Sequence, residues 1–146
     1  MPRVLIIEDH EKLRKLLVVA FKREGYEVCN GIGLEKVAEF LEKDVYDLVI
    51  ADLEVKPLVG FEMLKTIKRS NPNAEVVTIL QTNEYNVGSI ISCGVYDYVL
   101  KPFLLKDVVN IGKKALEKKK LADKVRNLEQ IMDMDKVPFL TSVSGD

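Results

Sequence analysis

The sequence holds only two cysteines, Cys29 and Cys93, and one histidine, His10. Two cysteines build neither a disulfide framework nor a metal cluster, and they read as small buried apolar residues of a reducing compartment. An excess of either charge is also missing. The 22 Lys/Arg stand against 23 Asp/Glu, which removes the basic surplus of a dedicated nucleic-acid binder. No apolar run approaches the ~20 residues of a membrane span, and Met1-Pro2-Arg3-Val4 lacks a signal-peptide core. The chain therefore reads as cytoplasmic, with no membrane contact and no direct nucleic-acid binding. Neither G-x-x-x-x-G-K-S/T nor G-x-G-x-x-G occurs, so no cradle for a nucleotide phosphoryl donor is expected. What is present suits one ordinary globular domain with an appendage: 146 residues, 47% apolar and 31% charged, enough to bury a core without staples.

Short apolar runs alternate with helix-period stretches. Val4-Leu5-Ile6-Ile7 and Leu48-Val49-Ile50-Ala51 are continuous apolar runs that end on charge, as strands buried on both faces do. Val76 to Leu80 and Tyr96 to Leu100 read as strands, and Tyr26 to Cys29 as a shorter one. Between them, Leu13, Leu16, Leu17, Ala20 and Phe21 recur at spacings of three and four, and similar faces fall at Leu34–Leu41, Phe61–Ile67 and Val87–Ile91. Gly25 and Gly94 stop helices, a loop runs from Glu54 to Gly60 with Pro57 as a helix breaker, and Asn71-Pro72-Asn73 marks a turn. Strand and helix thus alternate five times, which predicts an α/β fold with a doubly wound, five-stranded parallel sheet.

Ligands of such sheets bind beyond the carboxyl ends of the strands. The residues there are Glu8 and Asp9 after the first strand, Asp52 after the third, Leu80 to Thr82 after the fourth and Lys101 after the fifth. Clustered carboxylates repel one another unless a cation joins them. Mg²⁺ takes oxygen ligands, and a divalent ion with a lysine is the equipment that stabilises a phosphoryl group in transfer. A carboxylate between the two is a candidate nucleophile that forms an acyl phosphate.

These segments resemble the receiver domain of two-component response regulators over about residues 3–118. The resemblance rests on Val4-Leu5-Ile6-Ile7-Glu8-Asp9, Asp47-Leu48-Val49-Ile50-Ala51-Asp52-Leu53, Gly60, and Tyr96-Asp97-Tyr98-Val99-Leu100-Lys101-Pro102-Phe103, in that order. It implies a flavodoxin-like strand order 2-1-3-4-5. By the resemblance, Asp52 is the phosphoacceptor for a sensor histidine kinase, and Lys101 contacts the phosphoryl oxygens. Glu8, Asp9 and Asp52 hold Mg²⁺ with the backbone carbonyl of Glu54. The Lys101–Pro102 peptide is cis, and Tyr98 is the aromatic switch. Such a protein is not an enzyme in the ordinary sense, though it can catalyse its own phosphorylation and dephosphorylation. The family expects Ser or Thr at the end of the fourth strand, whereas an ungapped reading puts Leu80 there, with Gln81 or Thr82 as substitutes under a shift. Lys56 stands where Pro is frequent. An alternative is therefore a pseudo-receiver that docks or dimerises without being switched by phosphorylation.

The last helix begins near Leu104 and runs beyond the ~15 residues that cover a sheet. Leu121, Val125, Leu128 and Met132 form a heptad seam, and residues 104–146 hold nine Lys/Arg and seven Asp/Glu. We divide the chain into a receiver (1–118), a helical extension or linker with coiled-coil character (119–133) and a flexible tail (134–146). The lysine run reads as a solvated helix face. The resemblance implies a homodimer through the fourth helix, fifth strand and fifth helix, and an output domain, such as a transcription regulator, absent from this chain. The chain is read either as a fragment cut at a domain boundary or as a stand-alone receiver.

Overall fold

The computed structural model describes residues 1–30, 37–54, 60–81 and 87–134. Its elements are β1 (Arg3–Ile7), α1 (Glu11–Arg23), β2 (Glu27–Asn30), α2 (Val37–Lys43), β3 (Leu48–Asp52), α3 (Phe61–Ser70), β4 (Glu75–Leu80), α4 (Val87–Ser92), β5 (Asp97–Leu100) and α5 (Leu105–Met134). The strands form one sheet in the order β2-β1-β3-β4-β5, every neighbouring pair parallel. Thr82, Lys56, Pro57 and the segment 135–146 lie outside the described residues. Among the described residues no helix is long and apolar enough to cross a membrane.

The two-residue period of a strand sorts the apolar runs onto opposite faces. Leu5, Ile7, Val49, Ala51, Val76 and Leu80 pack with α2, α3 and α4 through Val37, Leu41, Met63, Leu64, Ile67 and Ile90. Val4, Ile6, Leu48, Ile50, Val77, Ile79 and Val99 pack with α1 and α5 through Leu17, Phe21, Val108 and Ala115. β1, β3 and β4 are buried over almost their whole length, which is why they read as unbroken apolar runs. Cys29 and Cys93 are free and half-buried against the first of these clusters rather than fully buried.

Gly112 sits where α5 comes down on α1 and β3. A Cβ there would lie 2.7 Å from Phe21 Cε1, 2.9 Å from its Cζ and 3.1 Å from Leu48 Cδ2, all on buried side chains. Helix preference alone favours alanine over glycine by about 1 kcal/mol, but overpacking a rigid core costs about 1–3 kcal/mol. Gly112→Ala is therefore expected to destabilise the chain by about 1 kcal/mol, read as a lower urea midpoint. A raised midpoint would show that the Phe21 ring yields freely.

The lysines of α5 are not simply a solvated face. Lys113 pairs with Glu24, just past the end of α1, at 2.8 Å, Lys118 with Glu75 of β4 at 3.3 Å, and Lys119 with Asp47 at 3.2 Å and Asp123 at 2.7 Å. They fasten the middle of α5 to the amino-terminal side of the sheet. Beyond them α5 continues as helix to Met134, one residue into the segment read from sequence as tail.

Candidate functional site

The strand period also aims the polar residues that follow each strand. Glu8 continues the parity of Val4 and Ile6, Asp52 that of Leu48 and Ile50, and Lys101 that of Val99. All three emerge on the α1/α5 side at the carboxyl edge, because parallel strands end together. Glu8 is 0% and Asp52 2% exposed.

One Asp52 oxygen accepts a hydrogen bond from Lys101 Nζ at 2.7 Å, and the other accepts from the Glu54 backbone N–H at 2.9 Å. Lys101 Nζ stands 3.7 Å from Glu8 Oε1. Glu8 Oε2 accepts from the His10 N–H at 3.1 Å, while its buried Oε1 has no hydrogen-bond partner. Burial pushes the Glu8 carboxyl up to about 8, with the His10 N–H opposing and the Asp52 charge adding. Burial works against the charge on Lys101, but its hydrogen bond to Asp52 and the field of Asp52, Glu8 and Glu54 outweigh that and hold its pKa above the ordinary value.

Local contacts set the loop that carries Glu8 and Asp9. Arg14 Nη1 donates to the Glu8 carbonyl at 3.0 Å and the Asp9 carbonyl at 3.4 Å. His10 caps α1, its Nδ1 accepting from the Leu13 N–H at 3.2 Å, so the lone histidine serves the helix start. Gly60, at φ +57°, returns the chain after the Glu54 loop, its N–H donating to the Leu53 carbonyl at 2.7 Å. That positive φ suits glycine.

The structure brings Glu8, Asp9 and Asp52 together: one oxygen of each lies within 4.8 Å of the others, with Asp9 exposed. Three hard oxygen donors, one of them a buried carboxylate oxygen without a hydrogen-bond partner, match a divalent cation of the Mg²⁺ kind. Among the described residues, Lys101 is the lysine that meets this acidic cluster. The Glu54 side chain does something the sequence did not suggest. Its Oε1 accepts from the Gln81 N–H at 3.2 Å, bridging the loop after β3 to the end of β4.

Leu80 is the last residue of β4 and pairs with Leu100. It is buried in the cluster facing α3 and α4, against which Tyr98 is half-buried. Leu80 and Tyr98 thus share the face opposite to the one that carries Asp52 and Lys101. The Lys101–Pro102 peptide is cis. Gln81 is exposed.

A five-stranded parallel sheet in this order, with acidic residues and a lysine meeting at its carboxyl edge, defines a receiver-type α/β protein. The response regulator receiver domain model matches residues 4–113, and the chain belongs to that family. It is 29% identical to the regulatory protein AtoC of Escherichia coli over 133 residues, covering 89% of this chain and 28% of that protein. It is 28% identical to the DNA-binding transcriptional regulator NtrC of a Bradyrhizobium strain over 138 residues, covering 94% of this chain and 28% of the relative. The chain thus spans less than a third of these two relatives. Among solved structures, NtrX from Brucella abortus superposes with a TM-score of 0.78 at 26% identity, over 87% of this chain and 29% of that one. The signal receiver domain of a Luxo repressor protein from Vibrio parahaemolyticus gives 0.77 at 25%, over 85% and 96%.

Proposed function

We propose that this receiver takes a phosphoryl group on Asp52 from the phosphohistidine of a sensor histidine kinase in the cytoplasm, and that the modification biases its conformation and assembly. One observation carries the reading: the buried Asp52 carboxylate lies 2.7 Å from the Lys101 ammonium at the open edge of the sheet. In the transfer a carboxylate oxygen of Asp52 bonds to phosphorus as the P–N bond of the donor breaks. The electron pair returns to the imidazole nitrogen, and Lys101 is placed to offset the charge on the phosphoryl oxygens. Glu8, Asp9 and Asp52, with the Glu54 carbonyl, are the residues that would hold Mg²⁺. When bound, the ion supplies positive charge that the acidic cluster lacks.

The proposed output face comprises α4, β5 and α5, where Val87, Ile91 and Leu100 stand exposed. This face is where we place a phosphorylation-dependent contact with a second copy or with an output domain. The test is binding of beryllofluoride, an acyl-phosphate mimic, in the presence of Mg²⁺, followed by ¹⁹F NMR. The expected result is one bound analogue per chain that disappears on chelation of the metal. Failure of the wild-type chain to bind it overturns the reading.

Leu80 bears on transmission rather than acceptance. A threonine there removes buried apolar volume at a cost of about 2 kcal/mol but places a hydroxyl on the strand end beside the Tyr98 face. Leu80→Thr is expected to widen the difference in dimer affinity with and without beryllofluoride by about fivefold or more, measured by sedimentation equilibrium. An unchanged difference would show that Leu80 does not limit the coupling.

A further inference from the structure

Among the described residues nothing is packed on the far half of α5. From Lys124 to Asp133 every residue is exposed, although the helix runs on to Met134, about 16 Å beyond the last residue held against the body. An isolated helical segment this short is marginal in water. Leu121, Val125, Leu128 and Met132 are 61%, 52%, 53% and 54% exposed and recur at spacings of four, three and four. They form one continuous apolar stripe of two heptads.

Two placements on the helix say what covers the stripe. At about 100° per residue, Val108, Gly112, Ala115 and Lys119 define the side of α5 that faces the body, through the Phe21 and Leu48 contacts, the core cluster and the Asp47 ion pair. The stripe is centred roughly 220° round the helix from that side, so a second helix can approach it without meeting the sheet or α1. With the stripe at the two core positions of the heptad, Lys124 and Glu129 fall at the flanking positions that face each other across a parallel pair. No ion pair within the chain occupies either of them among the described residues. The antiparallel alternative, matched over the same layers, sets Lys124 against Ile131 and Glu129 against Ala122, and makes no ion pair. Towards the body the core positions become Lys114 and Lys118, and Lys118 is tied to Glu75, so the seam starts at Leu121.

We infer that the α5 segment from Leu121 to Met132 is a docking surface for a second copy of this chain, paired in parallel, with Lys124 of each copy bonded to Glu129 of the other. This contact is separate from the α4–β5–α5 face and needs no phosphoryl group. Unlike the function proposed above, it therefore persists in Asp52→Ala.

The test is sedimentation equilibrium of the full chain in EDTA, without beryllofluoride, over the micromolar to submillimolar range. The expected result is a concentration-dependent dimer, equally strong in Asp52→Ala. Leu128→Lys should weaken it at least about tenfold, a change of 1.4 kcal/mol, while the sheet domain's urea unfolding stays as in wild type. Lys124→Glu and Glu129→Lys should each weaken it about fivefold and the double swap should restore it. A monomer throughout the range overturns the inference. So does a dimer indifferent to Leu128→Lys but lost on Leu100→Lys, which would place the contact on the α4–β5–α5 face. Failure of the double swap to restore affinity overturns the parallel register.

Discussion

Asp52→Ala is expected to lose all covalent labelling by acetyl phosphate in the presence of Mg²⁺, while remaining folded. The size of the effect follows from the uniqueness of the position. Asp52 alone among the described carboxylates combines near-complete burial with a lysine ammonium at 2.7 Å and a backbone N–H at 2.9 Å. Glu8 is also buried, but Lys101 Nζ stands 3.7 Å from its Oε1 against 2.7 Å from Asp52, and its carboxylate is placed to hold the metal rather than to attack phosphorus. Asp9 is exposed and lacks the lysine contact. Removing the nucleophile removes the bond that the label reports, so the loss should be complete rather than partial. Asp52→Asn is the companion variant: it retains an acceptor for the Glu54 N–H and should be equally unlabelled. Mass spectrometry after a fixed exposure reads both. Labelling at wild-type stoichiometry in either variant would place the acceptor elsewhere.

Asn71→Ala is expected to cost about 3 kcal/mol of folding stability, at the opposite pole of the sheet. Asn71 is 3% exposed. Its Oδ1 accepts from the Tyr46 N–H at 2.8 Å, and its Nδ2 donates to the Leu41 carbonyl at 2.8 Å and the Asp44 carbonyl at 3.3 Å. One side chain thus closes the end of α2 and the entry to β3 from the end of α3. Alanine leaves the buried Tyr46 N–H and Leu41 carbonyl without partners, and each orphaned group costs about 1–3 kcal/mol. Urea unfolding followed by circular dichroism measures the loss. Asn71→Asp keeps an acceptor for Tyr46 but no donor for the two carbonyls, so it should also destabilise. Acetyl phosphate labelling of the folded fraction should not change, because Asn71 lies at the other end of the strands from Asp52. A loss under 1 kcal/mol would mean that water replaces the amide.

The carboxyl-edge cluster was legible because it depends on local pattern and one topological rule. Each of Glu8, Asp52 and Lys101 closes an apolar run of determinable length, and parallel strands deliver such ends to one edge. Asn71, by contrast, looked only like part of a turn signal, since its partners lie 25 to 30 residues away. The ion pairs of Lys113, Lys118 and Lys119 were hidden for the same reason. A lysine run on a helix looks identical whether it faces water or the carboxylates of Glu24, Glu75 and Asp47.

The sequence by itself determined the alternation of five strands and five helices, the strand parity that puts Glu8, Asp52 and Lys101 on one side, and the heptad spacing of the last helix. Those are periodicities, and a periodicity is contained in a single segment. Only the tertiary structure decided that Leu80 lies with Tyr98 on the face away from Asp52, that Glu54 reaches the Gln81 N–H, and that the apolar stripe of α5 points away from the body. Each of these depends on how separate segments meet: neighbouring strands of the sheet, the loops after β3 and β4, and α5 against the sheet. Such meetings are set by packing in three dimensions, where residues distant in the chain compete for the same space and the same hydrogen-bond partners.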